Sequence, residues 1–251
     1  MPGKERTPPA TGERLRLPAA LAQLEGEVLA CRRCPRLVAW RRQAGRRRPL
    51  EPYWSLPVPG FGDPRPRLLI VGLAPGAHGS NRTGRAFTGD RSGIWLYRSL
   101  HKAGFASRPD SSARSDGLRL RQAWITAAVR CAPPQNRPTP QERRNCAPFL
   151  ARELSLLLGH IRVAVALGGF AWHQLLRSLA DCGLPPPRPR PPFRHGAELC
   201  LEAGPAKTGA RTLTLLGCYH PSQQNTFTGL LSQEMFDAVW TQARTLLERP
   251  Y

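Results

Sequence analysis

Four short apolar runs set the rhythm of this chain: R-L-L-I-V-G-L (67–73), A-W-I-T-A-A-V-R (123–130), R-V-A-V-A-L-G (162–168) and R-T-L-T-L-L-G-C (211–218). None alternates apolar with polar residues, as a strand with one wet face would. Unbroken runs of this length read as strands covered on both faces. Between and after them the apolar spacing becomes helical, in S-G-I-W-L-Y-R-S-L-H-K-A-G, F-L-A-R-E-L-S-L-L-L-G, F-A-W-H-Q-L-L-R-S-L and G-L-L-S-Q-E-M-F-D-A-V-W-T-Q-A-R-T-L-L. A further helix is expected ahead of the first strand, over L-P-A-A-L-A-Q-L-E-G-E-V-L-A. Strands that alternate with helices predict an α/β fold: a mainly parallel sheet with helices on both faces. The short E-L-C-L-E-A at 198–203 reads as an edge strand.

Breaks in this pattern define the organisation. Residues 1–14 are polar and Pro-rich and read as a disordered tail. Residues 15–251 read as a single domain, within the size that one α/β core can fill. Residues 181–196, D-C-G-L-P-P-P-R-P-R-P-P-F-R-H-G, can be neither helix nor central strand, because proline supplies no amide donor. They read as an exposed, polyproline-like insertion. The segment R-L-V-A-W-R-R-Q-A-G-R-R-R-P-L (36–50) is basic, and is either a solvated face or a phosphate-contacting arm.

Charge narrows the partner. The chain has 37 basic and 17 acidic residues, a formal net charge of +20. Only Lys4, Lys102 and Lys207 are lysines, so coding bias toward arginine contributes. It does not explain the shortage of acids, and a polyanionic partner, nucleic acid first, is expected. The opening M-P-G-K-E-R-T-P-P-A has no apolar core of a signal peptide. No apolar run approaches a membrane span. Seven cysteines, an odd number, argue against a disulfide framework and for a reducing cytosol.

Four of those cysteines form a pattern. Cys31 and Cys34 make a C-x-x-C chelate, and Cys131 and Cys146 bracket a Pro-rich loop about one hundred residues later; Cys182, Cys200 and Cys218 are singletons. Four thiolates suit zinc or an iron–sulfur cluster. A zinc ribbon usually closes with a second C-x-x-C. Its absence favours a cluster, while ordinary buried thiols are the plain alternative.

In an open parallel sheet, ligands bind beyond the carboxyl ends of the strands. The first strand is followed by G-L-A-P-G-A-H-G-S-N-R-T-G-R-A-F-T-G-D-R-S-G. That loop is too polar and Gly-rich to be a mere connector. It lacks the G-K-[ST] of a phosphate loop, and it is not a dinucleotide fingerprint. The second strand leads to Cys131 and then Asn136, and the fourth to C-Y-H-P-S-Q-Q-N-T. An acid, an amide, an aromatic ring and a histidine are therefore expected at one end of the sheet.

The loops G-L-A-P-G-A-H-G-S-N-R-T-G-R-A-F-T-G-D and H-P-S-Q-Q-N-T-F-T-G resemble the two signature loops of the family 5 uracil-DNA glycosylases, repair enzymes of bacteria and archaea. The four-cysteine pattern resembles the one that holds a 4Fe-4S cluster in families 4 and 5. The resemblance runs from Cys31 to the C-terminal helix. It implies the uracil-DNA glycosylase-like three-layer sandwich with a small central mainly parallel sheet. It implies excision of uracil from DNA by hydrolysis of the N-glycosidic bond, by a cytosolic enzyme expected to act as a monomer. It also implies a 4Fe-4S cofactor on Cys31, Cys34, Cys131 and Cys146.

The implied roles can be weighed residue by residue. The sugar becomes cation-like as the bond breaks, and the leaving base becomes anion-like. Asp90, the one acid of the first loop, matches the family's acidic residue, although Asp before S-G-I-W-L is also a good helix cap. His220 is expected to hydrogen-bond a base carbonyl. Phe87 would stack on the flipped base, and Asn136 would contact its edge. Leu73 and Ala74 occupy a turn where other glycosylases often place a polar side chain, so that turn offers only backbone. Base selection there should be loose enough to admit deaminated bases such as hypoxanthine or xanthine. Gln223, Gln224 and Asn225 would enter the gap in the duplex, and Arg82 and His78 would shape the loop or face phosphates. Arg32, Arg33, Arg143 and Arg144 would lie near phosphates. Two other classes compete. A non-catalytic iron–sulfur or zinc nucleic-acid binder leaves the polar loops unexplained. A small-molecule nucleotide hydrolase would want more acids than Asp90.

Overall fold

The four apolar runs form the parallel heart of a six-stranded sheet. The structure, a computed structural model, describes residues 17–46, 51–203 and 212–249; the tail expected at 1–14 lies outside them. The strands are β1 (Phe61–Gly62), β2 (Leu68–Gly72), β3 (Ala123–Ala127), β4 (Val163–Leu167), β5 (Glu198–Glu202) and β6 (Thr212–Cys218). Their order is β1-β3-β2-β4-β6-β5. The inner four are parallel, and β1 and β5 close the edges antiparallel. The edge strand expected at 198–203 is therefore β5. The two-residue β1 is too short to leave a pattern in the sequence.

The two faces of the sheet are read off its period of two. Leu68, Ile70, Ile125, Val163, Val165 and Leu216 point to one side, against α4 (Arg91–Lys102) and α8 (Gln233–Glu248). Leu69, Val71, Trp124, Ala164, Ala166 and Leu215 point to the other, against α1 (Ala19–Ala30), α5 (Pro140–Leu157) and α6 (Gly169–Asp181). This is the expected three-layer sandwich. α5 begins nine residues before the apolar pattern at Phe149 suggested. Its first turns are polar, but Thr139 and Glu142 form a reciprocal capping box, with Pro140 at the first helical position. The basic segment after Cys34 is also helical: α2 (Pro35–Arg46) buries Leu37, Arg41 and Ala44. Two short turns, α3 (Ser80–Thr83) and α7 (Gln223–Phe227), lie in the signature loops.

Topology places the site. The chain leaves β2 by α4 toward β3 on one side, and leaves β4 by α6 toward β6 on the other. The direction reverses at the carboxyl ends of β2 and β4, the switch point where open α/β sheets bind ligands. A buried ion pair stiffens the neighbouring end of β3. Arg130 donates to Glu153 at 2.5 Å and also bonds Thr126, while Trp124 Nε1 donates to the same carboxylate at 3.1 Å. Among the described residues, no helix is long and apolar enough to cross a membrane.

Candidate active site

A cleft of about 820 Å³ opens at that switch point. Asp90, His220, Leu73, Ala74, Phe87, Asn136, Gln223 and Gln224 all line it. Residues from loops well separated in sequence therefore meet in one space, as the strand-end rule requires.

Asp90 fills the capping role weighed for it and also lines the cleft. It is the N-cap of α4, with Oδ1 accepting from the Gly93 amide at 2.9 Å. Oδ2 is pressed against the glycine-rich turn. A Cβ on Gly79 would stand 1.9 Å from that oxygen, and one on Gly76 would stand 3.1 Å from it. Only a residue without a side chain at position 79 lets the carboxylate seat there. Burial raises the Asp90 carboxyl above the ordinary value; the Gly93 and Ser92 amides and the Arg82 charge pull it back.

The turn that holds Asp90 is self-built. Arg82 donates from Nε to the His78 carbonyl and from Nη2 to the Gly89 carbonyl, both at 2.8 Å. Thr83 Oγ1 donates to the Thr88 carbonyl at 3.1 Å, and Ser80 Oγ accepts from the Phe87 amide at 2.9 Å. Arg82 thus shapes the loop and is not among the residues lining the cleft. His78 does line it, and its Nδ1 lies 2.9 Å from the Tyr53 hydroxyl.

Phe87 and His220 are neighbours, with ring centroids 5.7 Å apart and planes inclined by 33°. Phe87 carries a left-handed backbone, φ 52°, a strained state for an aromatic residue. That strain turns the ring over Gly72 at the end of β2, where a Cβ would come within 2.9 Å of it. Burial pushes the His220 imidazole down to about 4, so it is neutral at physiological pH. Asn225 does not line the cleft; its Nδ2 donates to the His220 carbonyl at 2.8 Å and steadies that residue from behind. Asn136 sits at the exposed mouth, where Gln135 and Asn136 both have left-handed φ, 54° and 56°.

The matching family model is that of the uracil DNA glycosylase superfamily, over residues 59–244. The chain belongs to the uracil-DNA glycosylase superfamily. It is similar to the type-5 uracil-DNA glycosylase of Mycobacterium tuberculosis, 52% identical over 231 residues, which are 90% of this chain and 82% of the relative. The type-5 uracil-DNA glycosylase of Thermus thermophilus is 54% identical over 222 residues, 87% of this chain and 94% of its own. That of Pyrobaculum aerophilum is 41% identical over 218 residues, 86% and 88% of the two chains.

Several residues of this glycosylase's cleft escaped the sequence reading. Arg91 and Phe170 line it, as does Trp40 from α2. Arg91 immediately follows Asp90, and its guanidinium lies 4.7 Å from the centroid of the Phe227 ring. Phe170 follows the Gly168–Gly169 turn after β4, a strand end that the same rule would have flagged. Trp40 arrives by tertiary packing alone, and no local pattern announces it.

The four patterned cysteines line a second, smaller cavity walled by Leu37, Val129 and Phe149. Sequence distance concealed how close it is to the cleft. Ala74 packs against this apolar group and also lines the cleft, and the Val129 amide donates to the Leu73 carbonyl at 3.0 Å. Arg41 reaches the Cys131 sulfur at 2.9 Å, while its own carbonyl accepts from Asn81 of the signature loop at 3.1 Å. The Arg130 amide and Asn145 Nδ2 approach the Cys146 and Cys34 sulfurs at 3.2 and 3.5 Å. Burial raises the Cys131 thiol, and pushes that of Cys146 up to about 12. Among the described residues, no three His, Cys, Asp or Glu side chains are grouped to hold a single metal ion. Of the arginines expected near phosphates, Arg33 covers Phe149 at 5.2 Å, and Arg143 covers Phe170 at the cleft edge at 5.4 Å. Arg32 caps the end of α1 by bonding the Leu29 and Cys31 carbonyls, and Arg144 bonds Gln141.

The seating of Asp90 yields a direct expectation. Gly79→Ala should cost about 1–3 kcal/mol of stability by overpacking, and should break the Asp90–Gly93 cap in the variant's crystal structure. An unshifted carboxylate with wild-type urea melts would contradict the close packing described.

Proposed function

We propose that the chain excises uracil from DNA as a monofunctional glycosylase, with Asp90 and His220 as its catalytic residues. The observation that carries this reading is the meeting of Asp90, Phe87 and His220 in one cleft at the switch point of a uracil-DNA glycosylase fold. The target base lies inside the duplex, so it must be flipped out to reach such a cleft. Phe87 offers it a face, and His220, beside that ring, offers its edge an N–H donor.

The chemistry is a hydrolysis. The bond between C1′ and the base nitrogen breaks, and its electron pair leaves with the base. Negative charge then spreads to the base carbonyl, where neutral His220 donates a hydrogen bond. Positive charge develops at C1′, and the Asp90 carboxylate stabilises it. Water attacks C1′ and gives up a proton toward Asp90. The departing base anion takes up a proton from solvent water, Asp90 returns its proton to solvent, and the sugar becomes an abasic site. A neutral histidine suits a hydrogen-bond donor to a developing anion, and its depressed proton affinity keeps it so.

The Leu73–Ala74 turn sets no side-chain hydrogen bond against the base, which supports a range extending to hypoxanthine and xanthine. Gln223, Gln224 and Arg91 at the mouth are suited to contact the strand that the base leaves, and the +20 charge suits a phosphate backbone. Cys31, Cys34, Cys131 and Cys146 would hold a 4Fe-4S cluster. Support comes from their shared cavity, its apolar wall and the N–H groups aimed at sulfur. Four thiols lining one apolar cavity suit a multi-atom iron–sulfur cluster. When bound, the group would tie α1, α2 and the loop and helix after β3 together through these four residues, and loading would release thiol protons.

Incubation with uracil-containing duplex should leave alkali-labile sites. Asp90→Asn should slow single-turnover excision at least about 100-fold, with thermal melts nearly unchanged because Asn caps a helix as well as Asp. A near-normal rate would remove Asp90 from the chemistry. Anaerobically purified protein should be brown with about four irons per chain. Cys→Ala at any of the four positions should lower iron content, and the same change at Cys182, Cys200 or Cys218 should not. Stoichiometric zinc without iron would overturn the cluster assignment.

A further inference from the structure

Resting on the glycosylase reading, we infer that the Pro/Arg-rich segment before β5 is a second DNA-backbone contact, in which Arg190 and Arg194 hold phosphates beside the cleft. The argument begins with direction. α6 starts at the carboxyl end of the sheet and finishes at Asp181, at the opposite end. β5 is antiparallel to β6, and its first residue, Glu198, pairs with Leu216 near the carboxyl end of β6. The segment between must therefore travel back to the active end of the sheet. Its second half arrives there and is fastened.

The fastenings are specific. The Trp172 indole, in the first turns of α6, donates to the Pro191 carbonyl at 3.1 Å. Phe193 lies against Trp172 and Tyr219, with ring centroids 6.2 and 5.9 Å away. His195 Nδ1 accepts from the amide of Tyr219, the residue before His220, at 3.1 Å. Gly196 and Ala197 extend the β5–β6 ladder by two 2.8 Å bonds to Gly217. The Arg194 carbonyl packs so closely that a Cβ on Gly217 would stand 2.3 Å from it. A Pro-rich backbone so tied loses little further freedom on binding.

What it presents is one-signed. Residues 182–197 contain no acid, and Arg190 and Arg194 are exposed. Several arginines elsewhere are paired off, as in Arg36–Glu142, Arg85–Asp116 and Arg130–Glu153. Arg190 and Arg194 have no such partner among the described residues. A rigid arm bearing unpaired guanidinium groups, rooted one residue from His220, fits the phosphates flanking a flipped nucleotide.

The test is a salt titration of binding to abasic-site duplex. Each lost phosphate contact should reduce the slope of log affinity against log salt by about 1. Arg190→Ala with Arg194→Ala should weaken binding and flatten the slope by about 2. The paired Lys substitutions should restore most of it, which excludes misfolding. Arg65→Ala, an exposed arginine at the opposite end of the sheet, should leave the slope as it is. A double-Ala slope equal to that of wild type overturns the proposal. Loss of uracil release by the wild-type protein would instead overturn the glycosylase reading, so the two failures are distinguishable.

Discussion

The carboxylate of Asp90 is pressed into the backbone of the glycine-rich turn, and the cleft is arranged around that contact. One oxygen caps α4 through the Gly93 amide, and the other rests on Gly79, where no side chain could fit. The two contacts fix the carboxylate from opposite sides. They also fix the start of α4, whose packing against α8 forms one layer of the sandwich. Helix capping and the proposed chemistry thus use the same group. Neighbouring positive charge does not dominate it: burial is the largest influence and raises the carboxyl, while the cap and Arg82 keep ionisation within reach.

The thiol cavity and the cleft are two sides of one wall. Leu73 and Ala74 form the cleft side, and Val129 the thiol side, joined by a backbone hydrogen bond. α2 spans both, with Arg41 bound to Cys131 through its side chain and to Asn81 through its carbonyl. A group bridging the four sulfurs would hold this wall from behind. The proposed cluster would then serve a structural purpose in a hydrolysis that transfers no electrons.

Most of the sheet was legible, because strands buried on both faces can only be apolar runs. The loops were legible because function loads them with residues that a connector would not need. The misses have physical causes. β1 is two residues long, and α5 begins in polar turns that are stabilised by a capping box rather than by an apolar stripe. Arg82, read as shaping the loop or facing phosphates, bonds backbone carbonyls of the loop, and Asn225, expected at the duplex, bonds the His220 carbonyl; a polar side chain in a loop reads the same whether it faces ligand or main chain. Trp40 and the closeness of the thiols to the cleft depend on contacts across the chain, which no local pattern records.

The central claim is that the site works with an ionised carboxylate and an uncharged imidazole. The most direct measurement is the pH dependence of the single-turnover excision rate. With His220 pushed down to about 4, no step should appear around the ordinary histidine value of 6.5. Any loss should come on the acid side, as Asp90 and His220 take up protons. A rate that instead rises on acidification through 6.5 would mean that the working histidine is cationic, and would contradict the account.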